Sequence, residues 1–235
     1  MRNELSKQAS HEVHRVLNGF LHDLDSQISD QEFENLLFGK TRLTDVELGY
    51  KPEAYTRLNL VEPLIQAVHL EYQLEPRSEG VSRKRWPDFE ITSTAIPYIG
   101  EIKAMNTIEP GVEEIKEYLG VEGFVSPYGI LTDGVEWAIF GPPKDGGRTS
   151  NPIERRRLSL ADALKTVALS EGYWDKDFLS SRIQSTGVKQ IEEFPSIFHP
   201  DQIDAWALQK MPQQYRQEFL SEKRSLQTSL EGGWK

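Results

Sequence analysis

At 235 residues, with 37% hydrophobic and 27% charged residues, the chain has the composition expected of a soluble protein able to bury one good core. Zero cysteines exclude disulfides and thiolate metal sites and suit a cytoplasmic address. A net charge of −10 argues against a uniformly basic, phosphate-binding surface, and the short apolar runs, with no signal-like opening at Met1-Arg2-Asn3-Glu4, lead us to expect no membrane association.

Residues 5–25 read as a helix with Val13, Leu17, Phe20, Leu21 and Leu24 on its inner face. Ser29 with Glu32 forms a capping box that opens a short helix through Phe38. Asn59, with Glu62 three residues on, reads as the cap of an amphipathic helix striped by Leu60, Leu64, Ala67, Val68 and Leu70. Pro63 is compatible with that helix, because first-turn residues have no intrahelical donor to lose.

The stretch RWPDFEITSTAIPYIGEIKAM carries the chemistry. Phe89 and Ile91 alternate with polar neighbours, and Tyr98 to Met105 is apolar apart from Glu101 and Lys103, so both halves read as strands. The strand period of two puts Glu101 and Lys103 on one face. A hairpin turning near Thr94 to Pro97 would set Asp88 beside Glu101. Two carboxylates and an ammonium at one end of a buried sheet become favourable when a hard divalent cation neutralises them.

Further on, VEEIKEYLG reads as a helix, and YGILTDGVEWAIFG as a hairpin with Asp133-Gly134 as its two-residue turn. Pro142 to Pro152 is a loop and the best internal boundary. Leu160 to Leu169 reads as helical. Ile191, Phe194, Ile197 and Phe198 form an apolar set, followed by helices at Asp201–Leu208 and Pro212–Leu226. The expected organisation is a helical extension over 1–58, a core over 59–141 and a mainly helical region over 142–235. Arg77, Arg83, Lys84 and Arg85 precede Asp88, and Arg155, Arg156 and Arg157 follow the hairpin, which would give a local basic groove despite the acidic total. The five histidines form no metal-ligand pattern. No G-x-x-x-x-G-K-[ST] loop occurs, so neither ATP nor an ATP-driven motor is expected.

Pro87-Asp88 followed by Glu101-Ile102-Lys103 resembles the signature of the PD-(D/E)XK nuclease superfamily. The order of helix glutamate Glu62, P-D, E-x-K, helix and T-D-G hairpin is similar to the nuclease domain of type I restriction endonuclease motor subunits and their stand-alone relatives. The likeness covers roughly 59–141. It implies an α/β protein with a restriction-endonuclease-like core, a central mixed sheet of about four strands flanked by helices, and helical N- and C-terminal extensions.

The resemblance further implies Mg²⁺, with Mn²⁺ as substitute, held by Asp88, Glu101 and the Ile102 carbonyl. Lys103 would orient the attacking water, and Glu62 would serve a second ion or its waters. DNA would be the substrate, met by Arg83, Lys84, Arg85 and Tyr118, and a homodimer would let a single-site enzyme cut both strands. Two positions depart from the pattern: Glu114 stands where a glutamine is usual and Trp86 where an arginine is usual. A catalytically inactive module of the same fold, binding nucleic acid or protein, is the alternative reading.

Overall fold

The computed structural model describes residues 2–76, 86–120, 126–144, 150–173, 180–213 and 216–217. Six strands lie in sequence order across one sheet: β1 (Tyr72–Leu74), β2 (Phe89–Ile91), β3 (Tyr98–Ile102), β4 (Tyr128–Thr132), β5 (Glu136–Gly141) and β6 (Ile153–Ser159). All neighbours are antiparallel except β3 and β4, which run parallel. A parallel pair needs a crossover, and the helix α5 (Gly111–Gly120) lies in that connection. The architecture is therefore mixed α/β with helices on both faces, and the sheet has six strands rather than the four expected.

Every residue of β3 and β4 is buried, as befits central strands covered on two sides. Alternation along β3 divides the molecule. Tyr98 and Ile102 enter the main core, while Ile99 joins a smaller cluster with Ile115 and Tyr118 of α5 and Leu131 of β4. Glu101, two residues after Ile99, shares the α5 face. Gly100 has no room for a side chain, because the Phe89 ring lies over it and a Cβ would fall 2.0 Å from the ring.

On the main-core side stand α1 (Arg2–Asp25), α2 (Asp30–Leu37), α3 (Pro52–Thr56), α4 (Glu62–Ala67), α6 (Ala161–Ser170), α7 (Ser181–Phe198) and α8 (Pro200–Lys210). The capping box at Ser29 and Glu32 forms as expected, with donors and acceptors satisfied both ways. Asn59, however, caps nothing. The chain is helical from Pro52 through a π turn at Arg57–Val61 into α4, and the Asn59 amide donates to the Tyr55 carbonyl. In the π turn the Glu62 amide reaches back five residues to Arg57, directly before Pro63, whose ring would crowd a regular α turn. Pro52 in the first turn was the true start signal.

Three contacts brace the strands that carry Asp88 and Glu101. Asp204 of α8 accepts hydrogen bonds from the Ala95 and Ile96 amides in the β2–β3 loop, at 2.7 and 3.1 Å. The Tyr98 hydroxyl donates to the Ile203 carbonyl and the Tyr128 hydroxyl to the Ala207 carbonyl. On the opposite end, Tyr55 of α3 donates to Asp23 of α1 at 2.7 Å, fixing α3 against the long N-terminal helix. Among the described residues no helix is long and apolar enough to cross a membrane.

Candidate functional site

The β2–β3 hairpin pairs Phe89 with Gly100, so Asp88 and Glu101 are the next residues along each strand. Asp88 sits just outside the ladder. Its amide donates to the Gly100 carbonyl, and its Oδ2 accepts the Ile102 amide at 2.7 Å. The carboxylate thus replaces a ladder carbonyl and is held at the strand end rather than swinging free. Burial raises its pKa to about 6, with the Ile102 hydrogen bond opposing and the Glu53 charge adding to the rise.

Glu101 is 4% exposed. Burial and the nearby Asp88 charge push its pKa up to about 9, so it keeps its proton at neutral pH. Oε1 accepts from Lys103 Nζ at 2.6 Å, whereas Oε2 is buried with no hydrogen-bond partner among the described residues. An orphaned carboxylate oxygen beside a second carboxylate is a costly arrangement for the protein alone.

Lys103 follows directly after β3, its amide bonded to the Thr132 carbonyl of β4. Its ammonium lies 2.6 Å from Glu101, 2.8 Å from Glu114 and 3.8 Å from Glu53. Burial works to lower its pKa, but the hydrogen bonds to Glu101 and Glu114 outweigh that and raise it, so the ammonium stays charged. Glu114 reaches it from α5, whose start at Gly111 permits a close approach. A Cβ on Gly111 would sit 2.3 Å from Leu131 Cδ1 and 3.1 Å from Lys103 Cε. Burial tends to raise the Glu114 pKa, yet the neighbouring Glu101 and Lys103 side chains lower it overall.

Tyr118, one turn beyond Glu114 on α5, is buried facing this cluster. Burial raises its phenol pKa, and the charges of Glu101, Glu114 and Asp88 raise it further. The structure thus brings Asp88, Glu101, Ile102, Lys103 and Tyr118 to one end of β3. Glu62 is placed differently. It accepts from the Tyr72 hydroxyl at 2.8 Å and lies 3.4 Å from Arg57 Nε, while the carboxylate that this helical run brings to Lys103 is Glu53. Glu53 and Arg57 precede Asn59, the cap expected from the sequence, and so lie outside the expected helix. The Pro52-Glu53 pair, proline and acid in a first turn, was the signal that could have found them.

Arg83, Lys84 and Arg85 lie outside the described residues, as does Arg77. The second basic cluster is on β6, and its charges are engaged. Arg157 pairs with Glu154 at 2.7 Å, Arg156 approaches Glu193 at 4.0 Å, and Arg155 donates to the Pro142 carbonyl at 2.6 Å. Asp133, expected simply to turn the β4–β5 hairpin, also braces the site. Its carboxylate accepts from the Val135, Glu136 and Thr107 amides, tying the segment after Lys103 to the hairpin.

Among the described residues no three His, Asp or Glu side chains are arranged to hold a metal ion. The donor set of Asp88, Glu101 and the adjacent Ile102 carbonyl is nevertheless all oxygen and fits a hard divalent cation that keeps part of its water shell. The unpartnered Glu101 Oε2 and the raised pKa of both carboxyls are what a cation would relieve.

Comparison with known proteins yields a limited likeness. Over 96 residues the chain is 24% identical to a protein of Methanocaldococcus jannaschii named as a putative type II restriction enzyme and methyltransferase. The match takes in 39% of this chain and spans only 8% of that protein. No protein-family model and no solved structure matches the chain.

Proposed function

We propose that this protein is a metal-dependent endonuclease that hydrolyses DNA phosphodiester bonds with a PD-(D/E)XK-type site, in restriction, defence or DNA processing. The observation that carries the reading is Glu101, a buried carboxyl beside Asp88 with one oxygen unpartnered and Lys103 at 2.6 Å. The restriction-enzyme name of the Methanocaldococcus jannaschii protein supports the substrate class. Asp88, Glu101 and the Ile102 carbonyl would hold Mg²⁺, or Mn²⁺ in its place. When bound, the cation would polarise the scissile phosphate and lower the pKa of a water.

The chain's own groups do the rest. Asp88 is oriented by the Ile102 amide and presents its carboxyl at the strand end. With a cation held, Glu101 would release its proton to solvent and serve as an anionic ligand. Lys103, held 2.6 Å from Glu101, would orient the attacking water and stabilise the charge that grows on the phosphate. Tyr118 lines the wall of the site, and Arg83, Lys84 and Arg85 would meet the backbone phosphates.

The test is incubation of plasmid and linear DNA with Mg²⁺ or Mn²⁺, an EDTA control, and the Glu101→Ala and Lys103→Ala proteins. We expect metal-dependent nicking or cutting that both variants lose while retaining wild-type circular dichroism. Cleavage untouched by either substitution would refute the site. DNA or partner binding indifferent to EDTA and to Asp88→Asn, without any cleavage, would establish the inactive-module reading instead.

A further inference from the structure

Arg57 is a second cation at this site, and its surroundings are unusual for a simple ion pair. It lies four residues after Glu53 on the same helical run, so the two side chains project from one face. Glu53 reaches to 3.8 Å from Lys103 Nζ, which places that face against the end of β3. Arg57 Nε stands 3.4 Å from Glu62 Oε1, but both atoms are buried without a hydrogen-bond partner among the described residues. Glu62 is in turn fixed by the Tyr72 hydroxyl at 2.8 Å. A guanidinium carries five donors in a planar fork, and these contacts satisfy none of them as a hydrogen bond. The positive charge of Arg57 also reaches Asp88, where it opposes the rise that burial causes.

We propose that Arg57, steadied from behind by Glu62 and Tyr72, binds a DNA backbone phosphate next to the Asp88–Glu101 centre, an inference that rests on the nuclease reading above. Glu62 and Tyr72 are then positioning residues. They aim the guanidinium without consuming its fork, which matches a phosphate bidentately. The π turn contributes directly, since it begins at Arg57 and sets the angle at which that side chain leaves the helix.

The experiment measures binding of a short fluorescein-labelled DNA duplex by anisotropy in Ca²⁺ across a salt series. Wild type, Arg57→Ala, Arg57→Lys, Glu62→Gln and the Arg57→Ala/Glu62→Gln double variant are compared, with calcium affinity followed by calorimetry. Arg57→Ala should weaken duplex binding about tenfold and reduce the salt slope by about 1 while calcium is still bound. Arg57→Lys should keep the slope and bind more weakly than wild type, because the charge remains and the fork is lost. Glu62→Gln should weaken binding only while Arg57 is present. Additive losses in the double variant would mark Glu62 as merely structural and overturn the relay.

Wild-type affinity and slope in Arg57→Ala, in a protein that still binds and cuts DNA, would overturn the Arg57 assignment alone. A wild type that neither binds nor cuts DNA would overturn the nuclease reading together with it. Should Arg57→Ala not fold, Arg57→Lys decides: undiminished duplex binding overturns the proposal, and weakened binding on an unchanged slope upholds it.

Discussion

Replacing Asp88 by asparagine should stabilise the metal-free protein while removing its response to metal. Burial raises the Asp88 pKa to about 6 from a usual value of 3.8. An acid whose folded-state pKa is raised contributes stability that is fully present below the unfolded value and lost as pH climbs to the folded one. Over that window, 3.8 to about 6, the loss amounts to about 3 kcal/mol at 1.36 kcal/mol per unit. Asparagine keeps the acceptor for the Ile102 amide and never ionises. Metal-free Asp88→Asn should therefore exceed wild type by up to about 3 kcal/mol above pH 6, or roughly 6–12 °C in Tm for a chain of this size. The gain should vanish near pH 4. Thermal unfolding followed by near-ultraviolet circular dichroism, at several pH values with EDTA and with Mg²⁺, reads all of this. With Mg²⁺ the order should narrow or reverse, because only wild type gains. An Asp88→Asn protein no more stable than wild type at pH 8 in EDTA would refute the burial argument, as would one equally favoured at pH 4.

Gly100→Ala places a methyl 2.0 Å from the Phe89 ring, which is wholly buried. We expect a loss of about 1–3 kcal/mol in urea unfolding, and unchanged stability would disprove the close packing of β2 on β3. Asp133→Ala strips the acceptor from the Thr107, Val135 and Glu136 amides. At about 1–3 kcal/mol for each buried donor left unpaired, the loss should reach at least about 3 kcal/mol. Hydrogen exchange should rise at those three amides in particular, and protection equal to wild type would remove Asp133 from the frame of the site.

The legible parts of this protein are those whose signal is local. Period-two alternation placed Glu101 and Lys103 on one face of β3, and the hydrogen bond between them bears that out. The Ser29–Glu32 box requires only a few residues in a fixed order, and it forms. The β4–β5 hairpin also forms, though its two turn residues are Gly134 and Val135, one position later than expected, with Asp133 opposite Glu136. Neither edge strand announces itself in this way. β1 is three residues long, and β6 carries three consecutive arginines with no apolar alternation, so both are strands only because a neighbouring edge offers its backbone groups. Glu53 and Arg57 were hidden for a different reason. A proline inside a helix reads as a first turn when the sequence alone is consulted, and the π turn that accommodates Pro63 leaves no compositional mark.

The same contrast explains why the site is costly to the fold. Position 101 follows Ile99 on a face otherwise packed with Ile115, Leu131 and Phe140, and an apolar residue there would complete that cluster. Glutamate instead leaves a buried oxygen unpaired, has its own pKa raised by burial and by the Asp88 charge, and draws Lys103 into a cluster with Glu53 and Glu114. Four carboxyl groups then gather about one ammonium, and among the described residues Arg57 adds a second positive charge at the margin. The surrounding scaffold is correspondingly over-determined. α8 clasps the β2–β3 loop through Asp204, α1 holds α3 through Asp23, and Asp133 ties the residues after Lys103 to the next hairpin. A frame fastened at three points can keep mutually repelling carboxyls within reach of one another. That is the condition the proposed cation and phosphate would need in order to find their ligands already in place.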